Sequence, residues 1–175
     1  TYNIFYSCEL TKGETIMKQY DLLVIGFGKA GKTLAATFGK EGKKVALIEQ
    51  DPAMYGGTCI NIGCIPTKTM IVGADKGKSY EAAKATRDTV VGKLNAKNLN
   101  MLTSNPNVTV YTGHGKFTSN KEVEVTTADG VETLTAEIII INTGATNVVL
   151  PISGLSTSKF VYNSTELQAL PTLPK

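Results

Sequence analysis

The chain has 175 residues, a formal net charge of +3, 42% hydrophobic and 19% charged residues, the balance of one globular domain with a core of its own. Its apolar runs, such as Ile138 to Ile141, are far shorter than the roughly 20 residues that cross a bilayer. Arg87 is the sole arginine among dispersed lysines, so neither a membrane span nor a nucleic-acid surface is expected.

Residues 1–16 (TYNIFYSCELTKGETI) show no charged segment followed by an apolar core and do not read as a signal peptide. Met17-Lys18-Gln19-Tyr20-Asp21 looks like the native start, so residues 1–16 are expected to be a leader or an upstream addition, with Cys8 incidental. Tyr20 to Gly26 (YDLLVIG) predicts a strand. Phe27 to Lys32 predicts a tight turn, and the stretch to Lys40, with Leu34, Ala35 and Phe38 at helical spacing, a helix. Gly42 ends it, and Lys44 to Glu49 (KVALIE) predicts a second buried parallel strand, completing a βαβ unit.

A loop over Asp51 to Gly57 leads to Thr58, expected to cap a single helix that carries Cys59 and Cys64 and is kinked by Pro66. A long helix is predicted from Asp75 to Leu102, interrupted near Gly92 and stopped by Asn105-Pro106-Asn107. Val108 to Tyr111, Gly115 to Thr118, Glu122 to Thr127 and Glu132 to Ala136 predict four short strands of a small antiparallel excursion, with a hairpin turn at Ala128-Asp129-Gly130. Glu137 to Asn142 predicts a fully buried strand that ends at Thr143-Gly144, and Ser164 to Leu170 a short helix. The expected fold class is α/β: a Rossmann-like parallel sheet with a small antiparallel excursion over residues 17–150, then a connector over 151–175.

Gly26-x-Gly28-x-x-Gly31 follows a strand and opens a helix. That spacing lets a backbone turn sharply, approach a pyrophosphate and rest the anion on a helix amino terminus. Alone it also fits a structural turn. Glu49 ends the second strand 18 residues past Gly31, where a carboxylate accepts hydrogen bonds from the hydroxyls of an adenosine ribose.

Downstream, Gly56-Gly57-Thr58-Cys59-Ile60-Asn61-Ile62-Gly63-Cys64-Ile65-Pro66-Thr67-Lys68 places two cysteines with four residues between them. On a turn and the first coil of a helix, such sulfurs reach bonding distance, and a helix start lowers thiol pKa. The competing reading is a pair of buried core cysteines. The preceding glycines, and Lys68 one helical turn after Cys64 where an ammonium stabilises a thiolate or a reduced flavin, favour a redox dithiol.

Three cysteines and one histidine fall short of a closed zinc site without a carboxylate, and no metal site is expected. His114, between Gly113 and Gly115, reads as structural, the lysines from Lys76 to Lys97 as a solvated face, and Thr143-Gly144 as a strand end past which a cofactor can run. An odd cysteine count without a secretory signal fits a reducing cytoplasm.

These motifs together, GGTCINIGCIPTK above all, resemble the amino-terminal part of the class I pyridine nucleotide-disulfide oxidoreductases, the family of glutathione reductase, dihydrolipoamide dehydrogenase and mercuric reductase. With IGFGKAGKTLA and ALIEQ, the resemblance is closest to the mercuric reductase-like branch that includes the reactive-chlorine-resistance copper(II) reductase.

The resemblance implies that Gly26, Gly28 and Gly31 hold the FAD pyrophosphate and Glu49 the adenosine ribose, while Gly57, Thr58, Lys68, Gly115, Thr143 and Gly144 line the rest of the flavin site. It implies that Cys64 faces the flavin ring and Cys59 the substrate, with Lys68 as a further catalytic group. Electrons then run from NAD(P)H through FAD and the dithiol to a small-molecule, disulfide or metal-ion acceptor, in a cytoplasmic homodimer. Up to Lys175 there is no second glycine-rich fingerprint for NAD(P). The 175 residues are therefore expected to be an FAD-binding fragment, inactive alone. A nucleotide-binding module whose cysteines capture a soft metal without electron transfer is the alternative.

Overall fold

The computed structural model describes residues 17–173; the expected leader and Cys8 lie outside them. Strand β1 (Lys18–Ile25), helix α1 (Lys29–Lys40) and strand β2 (Val45–Glu49) form the predicted βαβ unit. A one-turn 3-10 helix at Pro52–Met54 precedes α2 (Thr58–Asn61), α3 (Cys64–Asp75) and α4 (Tyr80–Thr103). Strands β3 (Val108–Phe117), β4 (Glu122–Thr127) and β5 (Gly130–Ile141) follow, then α5 (Ser164–Ala169).

β1 pairs in parallel with β2 and β5, and β2 in parallel with β3. β4 pairs antiparallel with β3 and β5. The five strands thus close into a ring in the order β1-β2-β3-β4-β5. The fold is mixed α/β, as expected, but the four short strands and the fully buried one merge into fewer, longer elements. β3 runs unbroken through Gly113, and β5 joins the stretches expected at Glu132–Ala136 and Glu137–Asn142. Each gives its parallel half to the βαβ unit and its antiparallel half to β4, which is how the sheet closes.

Side-chain alternation then divides the core in two. Leu23, Ile25, Ala46, Ile48, Tyr111, Val123, Val125, Leu134 and Ala136 fill the ring. Leu22, Val24, Val45 and Leu47 face outward against Phe27, Ala35, Tyr55, Leu102 and Val108, the layer beneath α1 and α4. Near the start of β1 the Tyr20 and Tyr111 hydroxyls are 2.8 Å apart and Lys18 pairs with Glu132 at 2.5 Å. Burial, then the bond to Tyr20, pushes the Tyr111 phenol well above its ordinary pKa.

Five local expectations are corrected. The cysteine helix is two helices: α2 ends at Asn61, and Gly63 is the N-cap of α3. Thr58 is the first residue of α2, not its cap; Gly57 holds that place without a side-chain bond. Pro66 produces no kink because it sits in the first turn of α3, where no intrahelical partner is needed for a backbone N–H.

The long helix starts at Tyr80 and runs uninterrupted through Gly92. The break falls at Gly77, whose φ of +71° ends α3 with bonds from Gly77 N to Ala74 O and from Lys78 N to Gly73 O. Finally, the Glu137–Ile141 stretch is not fully buried: Ile138 is 43% and Ile141 68% exposed. Pairing with β4 stops at Thr135, so among the described residues this half of β5 has a partner strand on its β1 side alone.

Leu47 is fully buried between the sheet and the helices. Replacing Leu47 by Ala removes its contacts and leaves a cavity, and urea unfolding should report a loss of about 2–5 kcal/mol.

Candidate functional site

β1 ends at Ile25 and Gly26 leaves the strand with φ +103°. A Cβ there would lie 2.2 Å from the Asn142 carbonyl oxygen, so the turn requires glycine. Asn142 holds the same corner from the far side, its N–H donating to Ile25 O at 2.8 Å and its Nδ2 to Gly26 O at 3.2 Å. Sequence reading passed over Asn142; its position directly after four isoleucines marked only a strand end.

α1 then opens with Gly28 as an N-cap that offers no side-chain bond. The first turn has no acidic residue and carries Lys29 and Lys32. Its leading N–H groups point at the carboxyl edge of the parallel strands, the arrangement that receives an anion.

Glu49, at the end of β2, turns back over this edge. Its Oε2 accepts from Phe27 N at 2.9 Å and its Oε1 from Asp51 N at 3.1 Å. A cavity of ≈ 110 Å³ lies beside it, lined by Gly26, Glu49, Gly115 and Thr143, four of the residues singled out in the sequence, together with His114 and Gln50. That volume takes a sugar-sized group and not a dinucleotide, so a larger ligand would continue past the glycines in the open. Gly144 lies beyond the cavity, with open space around it.

On the other flank the loop after β2 climbs back to α1. Tyr55 is buried in the outer core layer against Phe27, with ring centroids 5.3 Å apart, and its hydroxyl meets Thr112 Oγ1 at 2.5 Å. The loop arrives with Gly57 at φ +84°, where a Cβ would sit 2.8 Å from Gly28 Cα. Two glycine turns therefore touch backbone to backbone, and Thr58 and Cys59 follow directly.

α4, whose lysines are expected to form a solvated face, holds this loop from outside through Asn95. Asn95 Nδ2 donates to Pro52 O, Ala53 O and Asn61 Oδ1, while Asn61 Nδ2 donates to Tyr55 O and Gly57 O. Helical spacing of asparagines on a polar helix was the only signal.

The break between α2 and α3 is what brings the cysteines together. A Cβ on Gly63 would be 3.0 Å from Thr58 O and 3.5 Å from Cys59 Cα, so the chain folds back tightly enough to start α3 beside α2. Both cysteines are free and exposed. They share a hydrogen bond, which is the foremost reason that the Cys59 thiol is pushed above its ordinary pKa; desolvation adds to it, while Lys29 pulls the other way.

The direction for Cys59 is thus opposite to the lowering expected from a helix start. A four-residue α2 supplies little dipole, and the neighbouring sulfur outweighs it. Cys64 occupies the first position of the longer α3, and Lys68 is exposed one turn later on the same helix. Among the described residues no three His, Cys, Asp or Glu side chains cluster to hold a metal ion.

A cavity of ≈ 560 Å³ lies elsewhere, between α3, α4 and α5, with Met70, Ile71, Ala74 and Leu167 in its wall. It contains neither the glycines nor the cysteines.

Residues 20–174 match the family model of the pyridine nucleotide-disulphide oxidoreductases. The chain is 48% identical over 158 residues to the probable pyridine nucleotide-disulfide oxidoreductase RclA of Escherichia coli, an alignment covering 90% of this chain and 36% of that protein. It is 32% identical to a mercuric reductase of Shigella flexneri, covering 88% of this chain and 30% of the relative. With a dihydrolipoyl dehydrogenase of Chlorobaculum parvum the identity is 33%, over 95% and 38%.

Among solved structures, the Cu(II) complex of the HOCl-induced flavoprotein disulfide reductase RclA from Escherichia coli superposes with a TM-score of 0.87 at 48% identity, covering 90% of this chain and 36% of that one. The chain therefore spans about a third of the length of these relatives.

Because Cys64 raises the Cys59 pKa, Cys59 holds less thiolate at neutral pH than a lone cysteine. Replacing Cys64 by Ala removes that hydrogen bond, so the pH profile of Cys59 alkylation by iodoacetamide should move to lower pH. Each unit of that shift is about a tenfold gain in rate below the pKa.

Proposed function

The chain belongs to the pyridine nucleotide-disulphide oxidoreductase family, and on that premise we propose that it forms the FAD-binding, dithiol-bearing segment of an NAD(P)H-dependent flavoprotein that reduces a disulfide or a metal ion. The observation that carries this reading is the contact between Gly57 and Gly28, which puts the cysteine helices and the anion-receiving end of α1 on one edge. The residues present fit the cofactor. Free N–H groups at an uncapped helix start and a carboxylate beside a sugar-sized cavity are the donor and acceptor set that an adenosine diphosphate moiety calls for.

In this reading Gly26, Gly28 and Gly31 give the pyrophosphate its backbone approach, with Gly57 and Thr58 closing over it. Glu49 orients the ribose, and Gly115, Thr143 and Gly144 line the adenosine end and its exit. Bound there, FAD supplies two-electron transfer between a nicotinamide and the cysteine pair. Reduction breaks the Cys59–Cys64 bond with two electrons and two protons, giving two thiols, and an acceptor reoxidises them. Cys64, at the start of α3, is the thiol that faces the flavin. Cys59 meets the acceptor. Lys68 places an ammonium one turn behind Cys64. The complete protein works in the cytoplasm as a homodimer.

Steady-state assays of the full-length protein with NADH and NADPH, against disulfide, quinone, Cu(II) and Hg(II) acceptors, test the proposal. Turnover with at least one acceptor is expected. Cys64→Ser should abolish dithiol-dependent turnover, a fall of 10³-fold or more on the scale of losing a nucleophile, while the yellow flavin stays bound. Protein that purifies colourless and takes up no added FAD would falsify the reading and favour a soft-metal binding module.

A further inference from the structure

Lys32 is the buried charged side chain among the described residues, with 9% of its surface exposed. Its Nζ donates to Gly56 O at 3.5 Å and to Asn98 Oδ1. Asn98 is itself fixed, its Nδ2 donating to Leu94 O at 2.6 Å. None of the ion pairs among the described residues involves Lys32. The ammonium is therefore held by neutral oxygens alone, and burial foremost, then Lys29, lowers its pKa, with Cys59 opposing.

A buried cation without a counter-ion destabilises a fold, and here it also stands in the wrong place for the helix that carries it. Lys29 and Lys32 occupy the first turn of α1, the positive pole of its dipole, where acids are favoured and cations disfavoured. Both penalties shrink if a negative charge sits at that helix end. Lys32 also reaches the one carbonyl, Gly56 O, that immediately precedes the turn stacked on Gly28. It links α1, the cysteine-bearing loop and α4 at a single point.

We propose that Lys32 is a positioning residue of the pyrophosphate cradle: it ties the Gly56–Gly57 turn to the first turn of α1 and supplies fixed positive charge in the wall behind the anion. This rests on the FAD reading given above. Lys32 need not touch the ligand. Its ammonium draws anionic ligands to a cradle whose backbone donors make the contacts.

The test uses the full-length protein stripped of flavin and titrated back with FAD, with ADP and adenosine as competitors. Two variants separate charge from scaffold. Lys32→Met removes both the charge and the tie; Asn98→Asp keeps the tie and cancels the charge with a carboxylate at the bonded position. Both should weaken FAD by about tenfold, the scale of one unit charge acting through a partly screened protein interior.

ADP should lose affinity in parallel while adenosine, which has no phosphate, keeps its own. Asn98→Asp also gives up the Nδ2 bond to Leu94 O, so melting of its apoprotein serves only to show that the variant is folded. Unchanged FAD affinity in Asn98→Asp, or an equal loss for ADP and adenosine, overturns the proposal. If Lys32→Met does not fold, Asn98→Asp decides alone. A parent protein that binds no FAD overturns the cofactor reading, whereas a parent that binds it beside indifferent variants overturns only the role of Lys32.

Discussion

Gly57 lies on Gly28 closely enough that a methyl group on the first would fall 2.8 Å from the Cα of the second. Backbone contact of this kind has no side chain to absorb an error, so both partners must be placed from elsewhere. Gly28 is placed by the sheet: β1 is buried on both faces over Leu22–Ile25, and Gly26 and Asn142 fix the exit. Gly57 is placed by anchors spread over the loop. Tyr55 is sunk in the core against Phe27, Asn95 holds the 3-10 turn, and Lys32 and Asn98 meet at Gly56. The dithiol follows from that contact, because Cys59 is two residues further on and Cys64 returns to it across Gly63.

The anion half and the thiol half of the site are built differently, and the difference suits the role proposed for each. The glycine half has little freedom: its turns pack on Asn142, Val24 and each other. Preorganised backbone donors work best when they need not move as charge arrives. The thiol half is exposed at both sulfurs and stands on short or newly started helices. In the proposed role, a dithiol that hands electrons to a partner from solution has to be reachable, and both sulfurs are exposed.

Most of the frame was legible because it rests on local signals. The βαβ unit shows in two dense apolar strands around a glycine turn, and the hairpin at Ala128-Asp129-Gly130 in its turn residues. What escaped the sequence was the meaning of individual glycines. Gly92 and Gly77 look alike in the chain. Yet Gly92 sits in open space within a 24-residue helix, where it costs only about 1 kcal/mol of propensity, whereas Gly77 takes a positive φ that ends a helix. Gly63 was likewise read as interior to one helix although it is the hinge between two. Pairing distance was the second blind spot: β3 and β5 are long because each has two partners at different heights. The composition of Glu137–Asn142 could not say that one edge of that strand lacks a partner among the described residues.

The candidate residues divide along the same line. Gly26, Glu49, Gly115 and Thr143 come from four separate stretches of chain and meet at one cavity, a convergence that spacing alone cannot guarantee. Lys32 and Asn142 were invisible beforehand for the opposite reason. A lysine in a first helical turn reads as solvated until its ammonium is found buried against Gly56 and Asn98, and an asparagine after a strand reads as a turn until three glycines are found packed on it. Both are polar side chains spent on backbone carbonyls inside the fold. Burying a polar group without such a partner is destabilising by kilocalories, so their positions are specified by the carbonyls they satisfy. Those carbonyls, Gly56 O and Gly26 O, belong to the two turns between which an anion would lie.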